Sequence, residues 1–278
     1  MTILEGNQPP PPEPGKLHSI GSWYIDEDLK DKLQLDMAIG MIEPDSAANL
    51  GYLVNTLHLD RVNALIYGPH LGLSCDKLGK GPLFPSTSYN TYISLGWSPQ
   101  QMLQAAHTIG EFSKDHPEVK LLLDDFWATA DTIGHSHWEK VVLSARQFNP
   151  GLEVSIVVYP FQIDRHLFEG WQEDAHPNGV SLWVWDWQDI KNVDSYYQRI
   201  MEKYDGKLWI TGGCYVTDYV HDPNSPIPVN QFQDLQDYWC EHTVKGTAEG
   251  ITTLFYPDAL RRWPEYVDYA NDVYKFYR

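Results

Sequence analysis

Apolar runs recur along this chain, and between them lie segments whose apolar residues fall at helical spacing. Eight runs are candidate strands: residues 17–24, 35–42, 61–67, 120–125, 153–159, 180–186, 207–211 and 250–256. Most are continuously apolar, as expected of parallel strands covered on both faces. Helical patterns are expected over residues 45–57, 138–148, 190–204, 231–244 and 263–277. Another opens at Ser98-Pro99, a serine N-cap with proline at the first helical position, and carries Met102, Leu103, Ala106, Ile109 and Phe112 on one stripe. Only residues 27–34 join the first two strands, so the first helix is a candidate to be missing. Eight strands, most of them followed by a helical pattern, predict a (β/α)8 barrel as one domain over residues 17–278. The competing doubly wound sheet would carry a glycine-rich turn after its first strand. This chain has Ile25-Asp26-Glu27-Asp28 there.

Two stretches fall outside the alternation. Residues 1–16 contain Pro9-Pro10-Pro11-Pro12-Glu13-Pro14 and read as a disordered or polyproline II tail. Residues 68–97 form a long connection after strand three, rich in Gly, Pro, Ser and Tyr. Its place at the C-terminal rim of a barrel fits a functional lid as well as irregular packing.

Composition narrows the function classes. The 278 residues carry a formal net charge of -18, which repels phosphate backbones and anionic lipid, so neither nucleic acid nor membrane is an expected partner. Cys75, Cys214 and Cys240 are an odd, scattered set without CxxC spacing, which argues against a disulfide framework or a zinc knuckle. No stretch approaches the length of a membrane span. The N-terminus lacks the basic and apolar regions of a signal peptide, and a cytoplasmic location is the expectation. Neither a Walker A sequence nor a GxSxG elbow is present, and no cofactor is expected.

The most informative residues are Asp124 and Asp125, which end the apolar run of strand four. Adjacent carboxylates at the edge of a buried sheet repel one another and resist desolvation, so the pair predicts a site using two carboxyls in different environments. Other strand ends add polar and aromatic residues to the same rim: His70 after strand three, Trp127 after strand four, Tyr159 at strand five, Asp186 at strand six, Tyr215 and Asp218 beyond strand seven, and Tyr256 and Asp258 at strand eight. Such an acidic, aromatic cup suits a small carbohydrate substrate, whose C–H faces stack on rings while its hydroxyls meet carboxylates. Of the eleven tryptophans, Trp183, Trp185 and Trp187 alternate with Val184 and Asp186. If Asp186 faces the lumen, these indoles pack beneath the helices as core. His135 and His137 form an HxH in what reads as a loop after strand four. With the aspartate pair they offer an alternative, a metal-dependent hydrolase or lyase. A barrel that only binds sugar or protein is the third possibility.

Leu122-Leu123-Asp124-Asp125-Phe126 resembles the aspartate pair ending strand four in family 84-type glycoside hydrolases, the hyaluronidase-like and O-GlcNAcase barrels. Leu208-Trp209 and Tyr215-Val216-Thr217-Asp218-Tyr219 are similar to that family's strand-seven segment. The resemblance spans residues 61–260. It implies that Asp124 orients a substrate N-acetyl group that attacks the anomeric carbon, and that Asp125 is the general acid/base. Two departures bear on the sugar. Ile210-Thr211 stands where the family has Asp-Asn, and Thr217 precedes Asp218 where the family has Asn. Together these point to a glycosidase of neutral or amino-sugar carbohydrate, with Asp125 as general acid and Asp124 as its partner.

Overall fold

A computed structural model describes residue 15 and residues 17–68, 97–165, 171–204, 208–255 and 259–278. The proline-rich tail, most of the long connection after strand three, and His70, Tyr256 and Asp258 lie outside the described residues.

Eight parallel strands close into a barrel. In chain order they are β1 (Ile20–Ser22), β2 (Met37–Met41), β3 (Arg61–Tyr67), β4 (Val119–Asp124), β5 (Val154–Val158), β6 (Gly179–Trp183), β7 (Trp209–Tyr215) and β8 (Gly250–Leu254). Each pairs with its chain neighbours, and β1 closes the ring against β8 through Ile20↔Ile251. This is the predicted (β/α)8 architecture. The first helix is present. It is a short one, α1 (Glu27–Leu33), nucleated by the Asp26 side chain accepting from the Leu29 N–H and seated by buried Leu29 and Leu33.

The second helix begins at α2 (Ala48–Gly51) and continues as a π turn over Tyr52–Thr56, less regular than its sequence pattern predicts. Ser98 caps α3 (Pro99–Phe112) in a full capping box with Gln101, and Met102, Ala105, Ala106 and Ile109 bury its inner stripe. After β4 the chain forms two helices where the sequence pattern predicts a loop and then one helix: α4 (Phe126–Ile133), then Gly134 at φ +92°, then α5 (His135–Arg146). The remaining helices are α6 (Val193–Lys203), α7 (Val229–Val244), α8 (Ala259–Arg262) and α9 (Pro264–Tyr277). A small antiparallel ribbon, Thr217–Asp218 against Asp222–Pro226, projects beyond β7.

Strand alternation divides the apolar residues into two cores. Ala64, Ile66, Leu121, Leu123, Ile156, Val158, Leu182, Val184 and Cys214 face the helices and join the large outer core. Leu65, Leu122, Val157, Trp183, Tyr215 and Leu254 face the lumen. At two points the wall meets an indole so closely that only glycine fits. A Cβ on Gly213 would stand 2.1 Å from the Trp183 ring, and one on Gly212 would stand 2.1 Å from Trp239. Among the described residues, no helix is long and apolar enough to cross a membrane.

The floor of the barrel, at the N-terminal strand ends, is closed by ions. Arg61 holds Glu249 with both guanidinium nitrogens at 2.7 Å, and Lys120 bridges Glu249 at 2.9 Å and Glu153. Burial alone would raise the Glu249 pKa; Arg61 and Lys120 overcome it and hold the carboxyl at about 2. A cavity of about 390 Å³ opens beneath this network.

Candidate active site at the C-terminal mouth

Asp124 ends β4 in phase with Leu122, so its side chain belongs to the lumen, where it is 8 % exposed. In a regular strand the next residue would point into the helix layer. Asp125 escapes that fate through its backbone. It adopts a left-handed conformation, φ 44° and ψ 39°, between the strand and α4. The turn brings the Asp125 N–H to within 2.8 Å of Asp124 Oδ1 and the Asp125 carboxylate to within 3.2 Å of the Tyr159 hydroxyl. Left-handed geometry costs a non-glycine residue of order 1 kcal/mol, with aspartate among the residues that tolerate it best. The sequence expectation that the two carboxyls share a mouth by virtue of a chain turn therefore has a specific backbone device.

Tyr159 reaches the lumen beyond Val157 and is buried. Its hydroxyl donates to Asp125 Oδ1 and lies 3.4 Å from the Tyr215 hydroxyl. Burial first, and then the neighbouring Tyr215, Asp125 and Asp124, push the Tyr159 pKa well above its ordinary value, so it stays a proton donor. Tyr67 pairs with Asp124 in the β3–β4 register, and its pKa is raised by burial and by the two aspartates.

Rings wall this mouth. Trp183, Tyr159 and Tyr215 form the buried base, and Trp23, Tyr67, Trp185 and Tyr219 stand above them. Trp183 meets Trp23 edge-on at 5.6 Å and Tyr215 at 4.8 Å; Trp185 lies 5.2 Å from Tyr159. Trp183 and Trp185 thus face the lumen, whereas the sequence reading with Asp186 in the lumen packs these indoles beneath the helices. Of the three, Trp187 alone packs there. The reason is that the β6 segment stays in phase through Trp185, while Leu182 and Val184 on the alternate face feed the helix layer.

The other predicted residues divide. Trp127 lies in the outer core, 2 % exposed, with the Arg165 guanidinium 3.8 Å over its ring and Asp131 pinning that arginine through two bonds. Asp186 caps the 3-10 turn Trp187–Asn192 by accepting from the Gln188 N–H. Asp218 is absorbed by its own loop: Oδ1 accepts from the backbone N–H groups of Val220 and His221 and from His221 Nδ1, and Oδ2 accepts from Trp187 Nε1. His221 is the rim residue that the sequence pattern did not single out; the Asp218-x-x-His221 spacing was its only signal.

His135 and His137 occupy the first turn of α5. His135 packs its ring against Trp127 at 4.7 Å, and burial lowers its pKa. His137 Nε2 donates to the Pro99 carbonyl at 3.1 Å, and burial lowers its pKa too. Among the described residues, no group of three His, Cys, Asp or Glu side chains is placed to hold a metal ion.

No family model matches this chain, and no curated protein matches it. Solved structures do. The chain is similar to a psychrophilic glycoside hydrolase family 10 endo-β-1,4-xylanase, at 10% identity and TM-score 0.55, over 92% of this chain and 96% of that one. It is similar to endo-glycoceramidase II from Rhodococcus sp., at 11% identity and TM-score 0.55, over 92% of this chain and 78% of that one. A β-D-glucuronidase from Dictyoglomus thermophilum matches at 12% identity and TM-score 0.51, over 86% of this chain, which spans 44% of the length of that protein. Likeness at this identity shows the shared barrel fold; chemistry has to be argued from the site.

Proposed function

We propose that this barrel is a glycoside hydrolase acting on a neutral or amino-sugar carbohydrate. The observation that carries the reading is the left-handed Asp125, which brings its carboxyl beside Asp124 at the barrel mouth and onto the Tyr159 hydroxyl. The face is the one where barrel enzymes do chemistry, and the aromatic cup offers stacking surface for a sugar ring.

In this mechanism Asp125 protonates the departing glycosidic oxygen as that bond breaks, and a water then adds to the anomeric carbon, giving its proton back to the Asp125 carboxylate. Asp124, deeper in the lumen, stabilises the positive charge that develops at the anomeric carbon, either directly or by orienting an N-acetyl group of the substrate. The Tyr159 hydroxyl strengthens its bond to Asp125 as the carboxyl gives up its proton, because hydrogen bonds to an ionised acceptor are stronger. That places the tyrosine's contribution in the transition state, where it accelerates the reaction.

A panel of aryl glycosides tests the reading, with wild type beside Asp124→Asn and Asp125→Asn. Loss of general acid catalysis is expected to lower turnover by about 10²- to 10⁴-fold in Asp125→Asn. Full activity in both variants overturns the proposal.

A further inference from the structure

Asp125 and Phe126 have exchanged faces. In an unbroken β4, Phe126 would follow Leu122 and Asp124 into the lumen, and Asp125 would join Leu121 and Leu123 beneath the helices. Instead the Phe126 ring is fully buried in the outer core, and the Asp125 carboxyl meets the Tyr159 hydroxyl at the mouth. The left-handed residue at 125 makes both changes at once. Whatever holds Phe126 under the helices therefore also holds the Asp125 carboxyl at the mouth.

Trp138, on α5, holds Phe126 twice. Its ring lies within 11° of parallel to the Phe126 ring, with centroids 5.8 Å apart, and its Nε1–H donates to the Phe126 carbonyl at 2.9 Å. Both side chains are fully buried. In such surroundings the bond is costly to break, because the indole donor would be stranded away from water. Trp127 and Trp171 add ring contacts to Phe126 at 5.4 and 5.9 Å. On the strand side, Asp124 is fixed by its register with Tyr67. The Asp125 carbonyl is tied into the first turn of α4 by the Thr129 N–H at 3.0 Å. The left-handed residue is thus spanned by two anchored neighbours. Strained backbone persists only where its surroundings over-determine it, and full burial of an aromatic ring outweighs the strain of one such residue.

We infer that Trp138 is the positioning residue for Asp125: its ring and its N–H keep Phe126 in the outer core and so keep the neighbouring carboxyl at the mouth. The kinetic consequence rests on the glycosidase reading above; the placement of the carboxyl does not. Trp138 acts through Phe126 and touches no substrate.

Trp138→Phe keeps an aromatic ring against Phe126 and removes the N–H. On aryl glycosides it is expected to lower kcat by about tenfold or more, with KM little changed. In an Asp125→Asn background the same substitution is expected to cost less than about twofold, because the carboxyl it positions is gone. Trp239→Phe makes the same ring loss elsewhere in the outer core and is expected to leave kcat per folded molecule unchanged. Protein labelled with ¹³C at its aspartate carboxyls gives a readout independent of turnover, with the Asp125 signal identified by its loss in Asp125→Asn. Tyr159→Phe is expected to shift that signal in otherwise wild-type protein and to leave it nearly unmoved in Trp138→Phe. Phe126→Leu, which keeps an apolar residue but removes the stack, is expected to act in the same direction more weakly, and it serves as the test if Trp138→Phe does not fold. An equal Tyr159→Phe shift with and without Trp138 overturns the inference. A loss in kcat that persists in full in Asp125→Asn, or that Trp239→Phe matches, overturns it too. If wild type turns over no glycoside, the hydrolase reading falls and the carboxyl signal still decides the positioning role.

Discussion

The two ends of this barrel treat buried charge in opposite ways. At the floor, Glu249 is matched by Arg61 and Lys120, with Glu153 sharing the lysine. At the mouth, Asp124 is met by a backbone N–H and Asp125 by the Tyr159 hydroxyl. Ion pairing at the floor cancels charge and fixes geometry. Hydroxyl and amide donors at the mouth orient the carboxyls. The lesson is that acidity in a lumen is no guide to function until its partners are known. Floor and mouth are both acidic; among the described residues the floor carboxyl Glu249 meets cations, and Asp124 and Asp125 meet an amide, a hydroxyl and rings.

The comparison can be broken from either end. The largest effect is expected at the mouth: Asp125→Asn should lower glycoside turnover by about 10³-fold, while its thermal midpoint stays close to wild type. A matched fall in both would mean that Asp125 holds the fold. At the floor the expectation reverses. Arg61→Ala leaves Glu249 to Lys120 alone and should destabilise the protein by about 1.5–3 kcal/mol, read by denaturant unfolding, with turnover per folded molecule retained.

Acid offers a third effect of similar size. The folded pKa of Glu249, about 2, lies below the usual 4.5. Its contribution is therefore present above pH 4.5 and lost as pH falls toward 2, amounting to about 3 kcal/mol. Wild type should lose stability more steeply across that window than Glu249→Gln; equal slopes would place the acid-sensitive carboxyl elsewhere. The smallest effect sharpens the mouth. Tyr159→Phe removes one hydrogen bond to a carboxylate and should reduce kcat by about tenfold, with the apolar packing of the ring kept. A change confined to KM would move Tyr159 from transition-state support to sugar binding.

Much of this was legible in the chain, for physical reasons. Parallel strands covered on both faces must be apolar throughout, so all eight strand positions stood out. Asp124 was visible because a carboxylate at the end of such a run has no structural excuse. Tyr159 and Tyr215 drew notice through their place at, or a few residues beyond, the ends of apolar runs. Trp127 looked equally placed beside the pair, but its neighbour Phe126 starts a helix at once and turns the indole under Arg165. Period-two counting could not foresee that, because the left-handed residue at 125 resets the phase. Asp218 and His221 were obscured for another reason. Their pairing depends on a tight ribbon, and Asp218 looked like a rim ligand until its loop was seen to occupy it.

The conformation of Asp125 has a consequence for anyone reshaping this protein. Glycine reaches φ 44° without a Cβ penalty, so Asp125→Gly is expected to relax the backbone by up to about 1 kcal/mol. A redesign scored on folding free energy alone would favour glycine at position 125, and a library selected for heat resistance would drift the same way. Both would yield sturdier barrels missing the carboxyl on which the proposed reaction turns.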